Sequence, residues 1–192
     1  MSPYRGVFVI PVTPVTEAGA LDEPSLRNWV HFVQLAGAHG LVAPVNASSF
    51  SALSDDERRR LIEVVVDANA GRLPLIAGVT GVSKEHAVLH ARHAKSLGAD
   101  AVIAMPPYVY RATESEILDY YRALAEIGLP VWIQNFVGPI GTPMPTRLLA
   151  QIFNEVDGVE YLKEETEHAP HVMHDLRNRT DRCRGIMGGK GG

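Results

Sequence analysis

Cys183 is the only cysteine in 192 residues, so no disulfide can form within the chain and a reducing compartment is the expectation. Lysine is nearly as scarce, with only Lys84, Lys95, Lys163 and Lys190. No apolar run approaches the roughly 20 residues of a membrane span. The apolar stretch 7–12 is short, contains Pro11 and lacks the small-residue cleavage pattern of a secretion signal. Positive charge is not in excess. A net charge of -4 and a pI near 6.0 give no electrostatic reason to expect nucleic acid or an anionic membrane as partner. What is there is the composition of a globular protein, 46% hydrophobic and 21% charged. One domain over residues 1–192, with a sizeable core and a cytoplasmic location, is the reading that follows.

Short apolar runs alternate with amphipathic segments. The spacing predicts strands at 6–12, 41–45, 75–79, 101–105, 131–134, 159–163 and 184–187. Helix starts lie between them. Ser54-Asp55-Asp56-Glu57 and Thr113-Glu114-Ser115-Glu116 are capping boxes, in which hydroxyl and carboxylate each satisfy an orphan amide. Gly37, Gly98 and Gly128 sit where helices should stop, because glycine accepts a left-handed conformation there. Arg58-Arg59-Arg60, following three acids, reads as a solvated helix face.

Such β/α alternation means parallel strands with helices covering the sheet, and the near-continuous apolar strands agree with burial on both faces. A doubly wound sheet usually carries a glycine-rich turn after its first strand. Here the first strand runs instead into Pro11-Val12-Thr13-Pro14, without GxGxxG. The regular spacing fits a (β/α)8 TIM barrel, which ordinarily needs eight strands and about 250 residues. Seven strands are counted, so the expectation is a barrel truncated after the seventh, incomplete at the C-terminus. In either architecture the active site lies where strands end. Lys163 closes the apolar run Val159-Glu160-Tyr161-Leu162 at such an end. A lysine half buried there loses hydration, which disfavours the ammonium form and frees an amine to attack a ketone.

Several strand-end segments together resemble the dihydrodipicolinate synthase / N-acetylneuraminate lyase family of class I aldolases and dehydratases. They are Val12-Thr13-Pro14, Leu53-Ser54-Asp55-Asp56-Glu57-Arg58, Ile76-Ala77-Gly78-Val79, Gly98-Ala99-Asp100-Ala101, Met105-Pro106-Pro107-Tyr108 and the lysine strand itself. The resemblance implies the same barrel, no cofactor, a small 2-keto acid as partner, a homotetramer, and Lys163 as the Schiff-base nucleophile. Departures narrow it. Val45-Asn46-Ala47-Ser48-Ser49 replaces the Gly-Thr-Thr-Gly-Glu loop of the synthases, Gln134 replaces a strand-end tyrosine, and Val109 replaces a second tyrosine. The proton relay of pyruvate-condensing members is therefore missing, since a glutamine amide does not titrate. Asn46, Ser48, Gln134 and Leu162-Lys163-Glu164-Glu165-Thr166 are similar to the branch of 2-keto-3-deoxy sugar acid dehydratases.

The implied reaction is dehydration of a 2-keto-3-deoxy sugar acid, with retro-aldol release of pyruvate or an inactive keto-acid-binding paralogue as alternatives. Asn46 and Ser48 are the candidate binders of the substrate carboxylate, Gln134 of the imine region, and Tyr108 is the candidate acid/base or orienting group. Of Glu164 and Glu165, strand alternation sends one away from the site, and the sequence leaves open which. His86, His90 and His93 share a helix face, and His168, His171 and His174 recur every three residues. No cysteine or paired carboxylate completes either set in sequence, so no metal is expected. The terminal glycine run at 188–192 lacks Walker spacing and is not expected to bind phosphate.

Overall fold

The computed structural model describes residues 4–136, 142 and 144–189. Its elements are β1 (Phe8–Val9), α1 (Glu23–Leu35), β2 (Gly40–Ala43), α2 (Asp55–Asn69), β3 (Leu75–Gly78), α3 (Lys84–Ser96), β4 (Ala101–Ala104), α4 (Glu114–Ala125), β5 (Val131–Asn135), α5 (Thr146–Glu155), β6 (Val159–Glu164), α6 (Ala169–Arg179) and β7 (Gly185–Gly188). All neighbouring strands pair in parallel, in the order β1-β2-β3-β4-β5-β6-β7. Strict sequential order belongs to a barrel wound in one direction, because a doubly wound sheet reverses its order partway. Among the described residues β1 and β7 do not pair with each other, so an open seam runs between them.

Alternation divides the core. Val42, Ile76, Ala101, Ile103, Trp132 and Tyr161 form one cluster on the inner face, joined by Tyr4. Their neighbours point the other way, Leu41, Ala43 and Leu75 into one helix-facing cluster and Ala77, Val102, Ala104, Val131, Ile133 and Leu162 into another. Inside, Trp132 stacks on Tyr161 with centroids 4.8 Å apart, and Tyr4 meets both rings edge-on.

Both capping boxes form as the sequence predicts. Gly37, Gly98 and Gly128 have φ of 77°, 84° and 76°, as helix exits require. The first strand is shorter than the predicted 6–12. Pro11 has no N–H to donate to a ladder, and its carbonyl instead accepts from Ser48 Oγ at 2.7 Å. The arginine run is only partly a solvated face. Arg58 is 3% exposed, donates to the Thr80 carbonyl at 2.8 Å and lies 5.1 Å above the Phe50 ring. Its position, three and four residues before buried Leu61 and Ile62, puts it on the inner stripe of α2.

Candidate active site

Lys163 lies near the carboxyl end of β6, level with Gln134 on β5 and Met187 on β7. Tyr161 faces the interior, so a period of two carries Lys163 and Glu165 to that same face. Leu162 and Glu164 point toward the helices. Lys163 is 7% exposed, and its Nζ sits 2.9 Å from Glu165 Oε2. The same oxygen accepts from Gln134 Nε2 at 2.5 Å. Lysine, glutamate and glutamine thus form one buried chain of polar groups. Among the described residues Gln134 Oε1 is buried with no hydrogen-bond partner, an acceptor open to a further donor. Space for the glutamate depends on Gly189, where a Cβ would stand 2.0 Å from Glu165 Cγ.

Glu164 is spoken for elsewhere. Its carboxylate accepts from Asn135 Nδ2 and from the Thr166 backbone N–H, both at 2.8 Å, behind the strand wall. Between the two acidic neighbours the structure therefore selects Glu165 as the group beside the amine. A cleft of about 620 Å³ follows the seam and reaches Lys163, bounded by Phe8 and Ile10 on one side and by Ile186 and Met187 on the other, with Trp132 and Ile103 at its floor.

The remaining predicted site residues take other positions. Ser48 is fully buried. Its hydroxyl donates to the Pro11 carbonyl and accepts from the Val45 N–H at 3.3 Å, while the Ser48 carbonyl accepts from Thr13 Oγ1 at 2.6 Å. Those bonds fix the loop after β2 against the end of β1. Asn46 turns its amide toward the Met105 sulfur, 3.4 Å away. The Tyr108 ring packs edge-on against Phe50, with centroids 5.5 Å apart. None of these three borders the cleft that reaches Lys163. Tyr120 and Tyr121, read as packing residues, are buried; the Tyr120 hydroxyl accepts from the Gly81 N–H, and Tyr121 donates to the Ala104 carbonyl.

The histidines hold a correction to the sequence reading that no carboxylate completes their sets. Asp55, from the first turn of α2, meets His86 and His90 of α3. Burial, with Arg58 and His86 nearby, pushes the His90 ring down to about 4, so it is neutral near pH 7. The hydrogen bond from His86 holds the Asp55 carboxyl below the ordinary carboxylate range. His168 and the α6 histidines form no such group among the described residues, and Lys190 with the last two glycines lies outside those residues.

Comparison with known proteins agrees with this architecture. The L-2-keto-3-deoxyarabonate dehydratase of Azospirillum brasilense is 32% identical over 177 residues, covering 90% of this chain and 57% of that protein. A 4-hydroxy-tetrahydrodipicolinate synthase of Jannaschia is 36% identical over 135 residues, covering 70% of this chain and 46% of the relative. The crystal structure of a candidate dihydrodipicolinate synthetase from Pseudomonas aeruginosa superposes with a TM-score of 0.92 at 30% identity, across 97% of this chain and 64% of that one. The chain thus spans about half the length of the curated relatives it matches. The model of the dihydrodipicolinate synthetase family matches residues 3–189. With seven parallel strands wound in sequence around a buried strand-end lysine, this chain belongs to the dihydrodipicolinate synthetase family.

Proposed function

We propose that the protein is a Schiff-base-forming lyase in which Lys163 attacks the C2 ketone of a 2-keto acid, and that it dehydrates a 2-keto-3-deoxy sugar acid. The observation that carries this reading is the buried Lys163–Glu165 contact at a strand end, 2.9 Å long and backed by Gln134. Proton transfer to the carboxylate leaves the amine neutral and nucleophilic. Its addition to C2 gives a carbinolamine, and Glu165 returns the proton to the departing hydroxyl, so that water leaves and a protonated imine stands beside a carboxylate. The imine acidifies the C3 hydrogens, and Glu165 is the carboxylate within reach to take one. Electrons released at C3 expel the C4 hydroxyl, which leaves as water with the proton that Glu165 has just taken. Tautomerisation and hydrolysis then return the amine and release a semialdehyde.

Gln134 does not titrate, so it positions Glu165 and offers Oε1 to a substrate hydroxyl. The dehydratase named for the Azospirillum relative supports the choice of substrate class. Asn46 and Tyr108 remain part of this proposal as strand-end loop residues that would have to turn toward Lys163 to orient substrate, whereas Ser48 serves by fixing the loop that carries Asn46. Assembly as a homo-oligomer and a cytoplasmic location belong to the same reading. No helix among the described residues is long and apolar enough to cross a membrane.

Borohydride reduction in the presence of a panel of 2-keto acids, read by mass spectrometry, tests the nucleophile. An adduct should appear on Lys163 and vanish in Lys163→Ala. In Glu165→Gln the adduct should still form on Lys163 but more slowly, since the amine loses its proton acceptor, while kcat falls by about 10² to 10⁴, the span of general acid–base contributions. A semialdehyde product supports dehydration, and pyruvate release overturns it in favour of aldol cleavage. Absence of any adduct would leave only a keto-acid-binding protein.

A further inference from the structure

Asp55 is the first residue of α2 because Ser54 caps that helix, and Ser83 caps α3 so that His86 and His90 fall one turn apart. The two helices pack side by side on the outside of the sheet, which brings three side-chain atoms together. His86 Nε2 is 2.9 Å from Asp55 Oδ1 and 3.0 Å from His90 Nε2. His90 Nε2 is 3.4 Å from the same Asp55 oxygen. We propose that Asp55, His86 and His90 form a binding site for a divalent transition cation of the zinc type, separate from the Lys163 site.

Zinc bonds to nitrogen and oxygen are about 2.0–2.1 Å, which separates the ligands of a tetrahedral site by roughly 3.3 Å. The observed triangle has edges of that size. A cation about 2 Å from all three atoms would stand roughly 1 Å above their plane. Hydrogen bonding alone serves the triangle poorly. The Val82 N–H approaches His86 Nδ1 at 3.4 Å, which leaves the proton of a neutral ring on Nε2. That N–H can be aimed at Asp55 or at His90, not at both, and a proton on His90 Nε2 would have only the longer 3.4 Å contact to Asp55 to fill. A cation satisfies all three lone pairs at once, and loading moves the His86 proton to Nδ1 at the expense of the weak Val82 contact.

The donor set also limits the ion. Two imidazoles and one carboxylate suit zinc or its transition-metal neighbours, whereas magnesium and calcium prefer oxygen ligands. His90 is 2% exposed while the Asp55 and His86 side chains are 48% and 22% exposed. The fourth position therefore faces solvent, and water can fill it. With one ligand on α2 and two on α3, the ion would clamp the helices together outside the barrel wall.

Titration of chelator-treated protein with zinc chloride, followed by calorimetry and thermal melting, tests the site. One equivalent should bind, raise Tm, and resist competition by millimolar magnesium or calcium. Asp55→Asn and His86→Gln, both at partly exposed positions, should each weaken binding by about tenfold or more. Equal affinity in both variants would place the zinc elsewhere, as on His168, His171 and His174, and overturn the proposal. So would the lack of saturable binding below about 0.1 mM zinc, an affinity of only about 5 kcal/mol. Should a variant fail to fold, cobalt(II) decides with the wild type. Its paramagnetism must broaden the His86 and His90 ring resonances before those of the α6 histidines.

Discussion

At the scale of single residues, position along a strand decides between neighbours of identical chemistry. Glu164 and Glu165 differ by one step. One meets Asn135 behind the sheet and the other meets Lys163 in front of it. The lysine was legible in the sequence because it ends an apolar run. The glutamate was not, because the alternation could be carried past the strand end only once the Glu165 N–H was seen to continue the ladder to the Asn135 carbonyl. Asp55 and His86 are 31 positions apart on different helices, and no local pattern links them. Cys183 shows how burial sets chemistry at one residue. Its thiol donates to the Gly185 carbonyl at 3.4 Å, and burial pushes it up to about 11 from an ordinary value of 9.0. Below pH 9 the thiol is protonated both folded and unfolded, so its stabilising contribution is whole. Between 9 and 11 only the unfolded chain loses the proton, and stability falls by about 2–3 kcal/mol. Urea midpoints measured from pH 8 to 11 should therefore drop more steeply for the wild type than for Cys183→Ala. Parallel curves would show that other groups govern the alkaline limb.

At the scale of elements, the helix ends follow from short-range chemistry. The Ser54 hydroxyl accepts from the Glu57 N–H at 3.3 Å, and the Ser54 N–H donates to the Glu57 carboxylate at 2.8 Å. Ser54→Ala should cost about 1 kcal/mol. In a protein of this size that corresponds to a drop in Tm of about 2–4 °C, readable by calorimetry. A fall beyond about 10 °C would mean that the cap also holds the loop in front of it. The sequence placed this cap correctly and misplaced Arg58, one turn further on. The difference is physical. A capping box is closed by atoms three residues apart, whereas Arg58 is drawn inward by the Thr80 carbonyl and the Phe50 ring. Those partners reach it only when β3 and the loop after β2 are packed.

At the scale of the whole molecule, the sheet is strongest in its middle. Among the described residues β2 to β6 are each paired on both sides, whereas β1, two residues long, and β7 are paired on one side only. Backbone amides in β3 to β5 should exchange with solvent slowest and report global unfolding. Those of β1 and β7 should exchange on the order of a hundredfold faster or more through local opening. Hydrogen exchange followed by mass spectrometry resolves the gradient. Uniform protection would mean that the seam is closed in solution. The seam also bears on the site, because the cleft that reaches Lys163 runs along it. The Lys163–Glu165–Gln134 chain itself hangs on strands paired on both sides, so its geometry is held by the rigid part of the sheet.

Apolar runs, caps and helix-stopping glycines determined the parallel β/α winding and singled out Lys163, because each depends on residues within a turn or a strand of one another. Tertiary structure alone decided that Glu165 and Gln134 join that lysine, that Ser48 braces a loop, and that an aspartate from one helix closes on two histidines of the next. Those pairings rest on strand register and on the packing of helices against the sheet, and both depend on contacts between residues far apart in the chain.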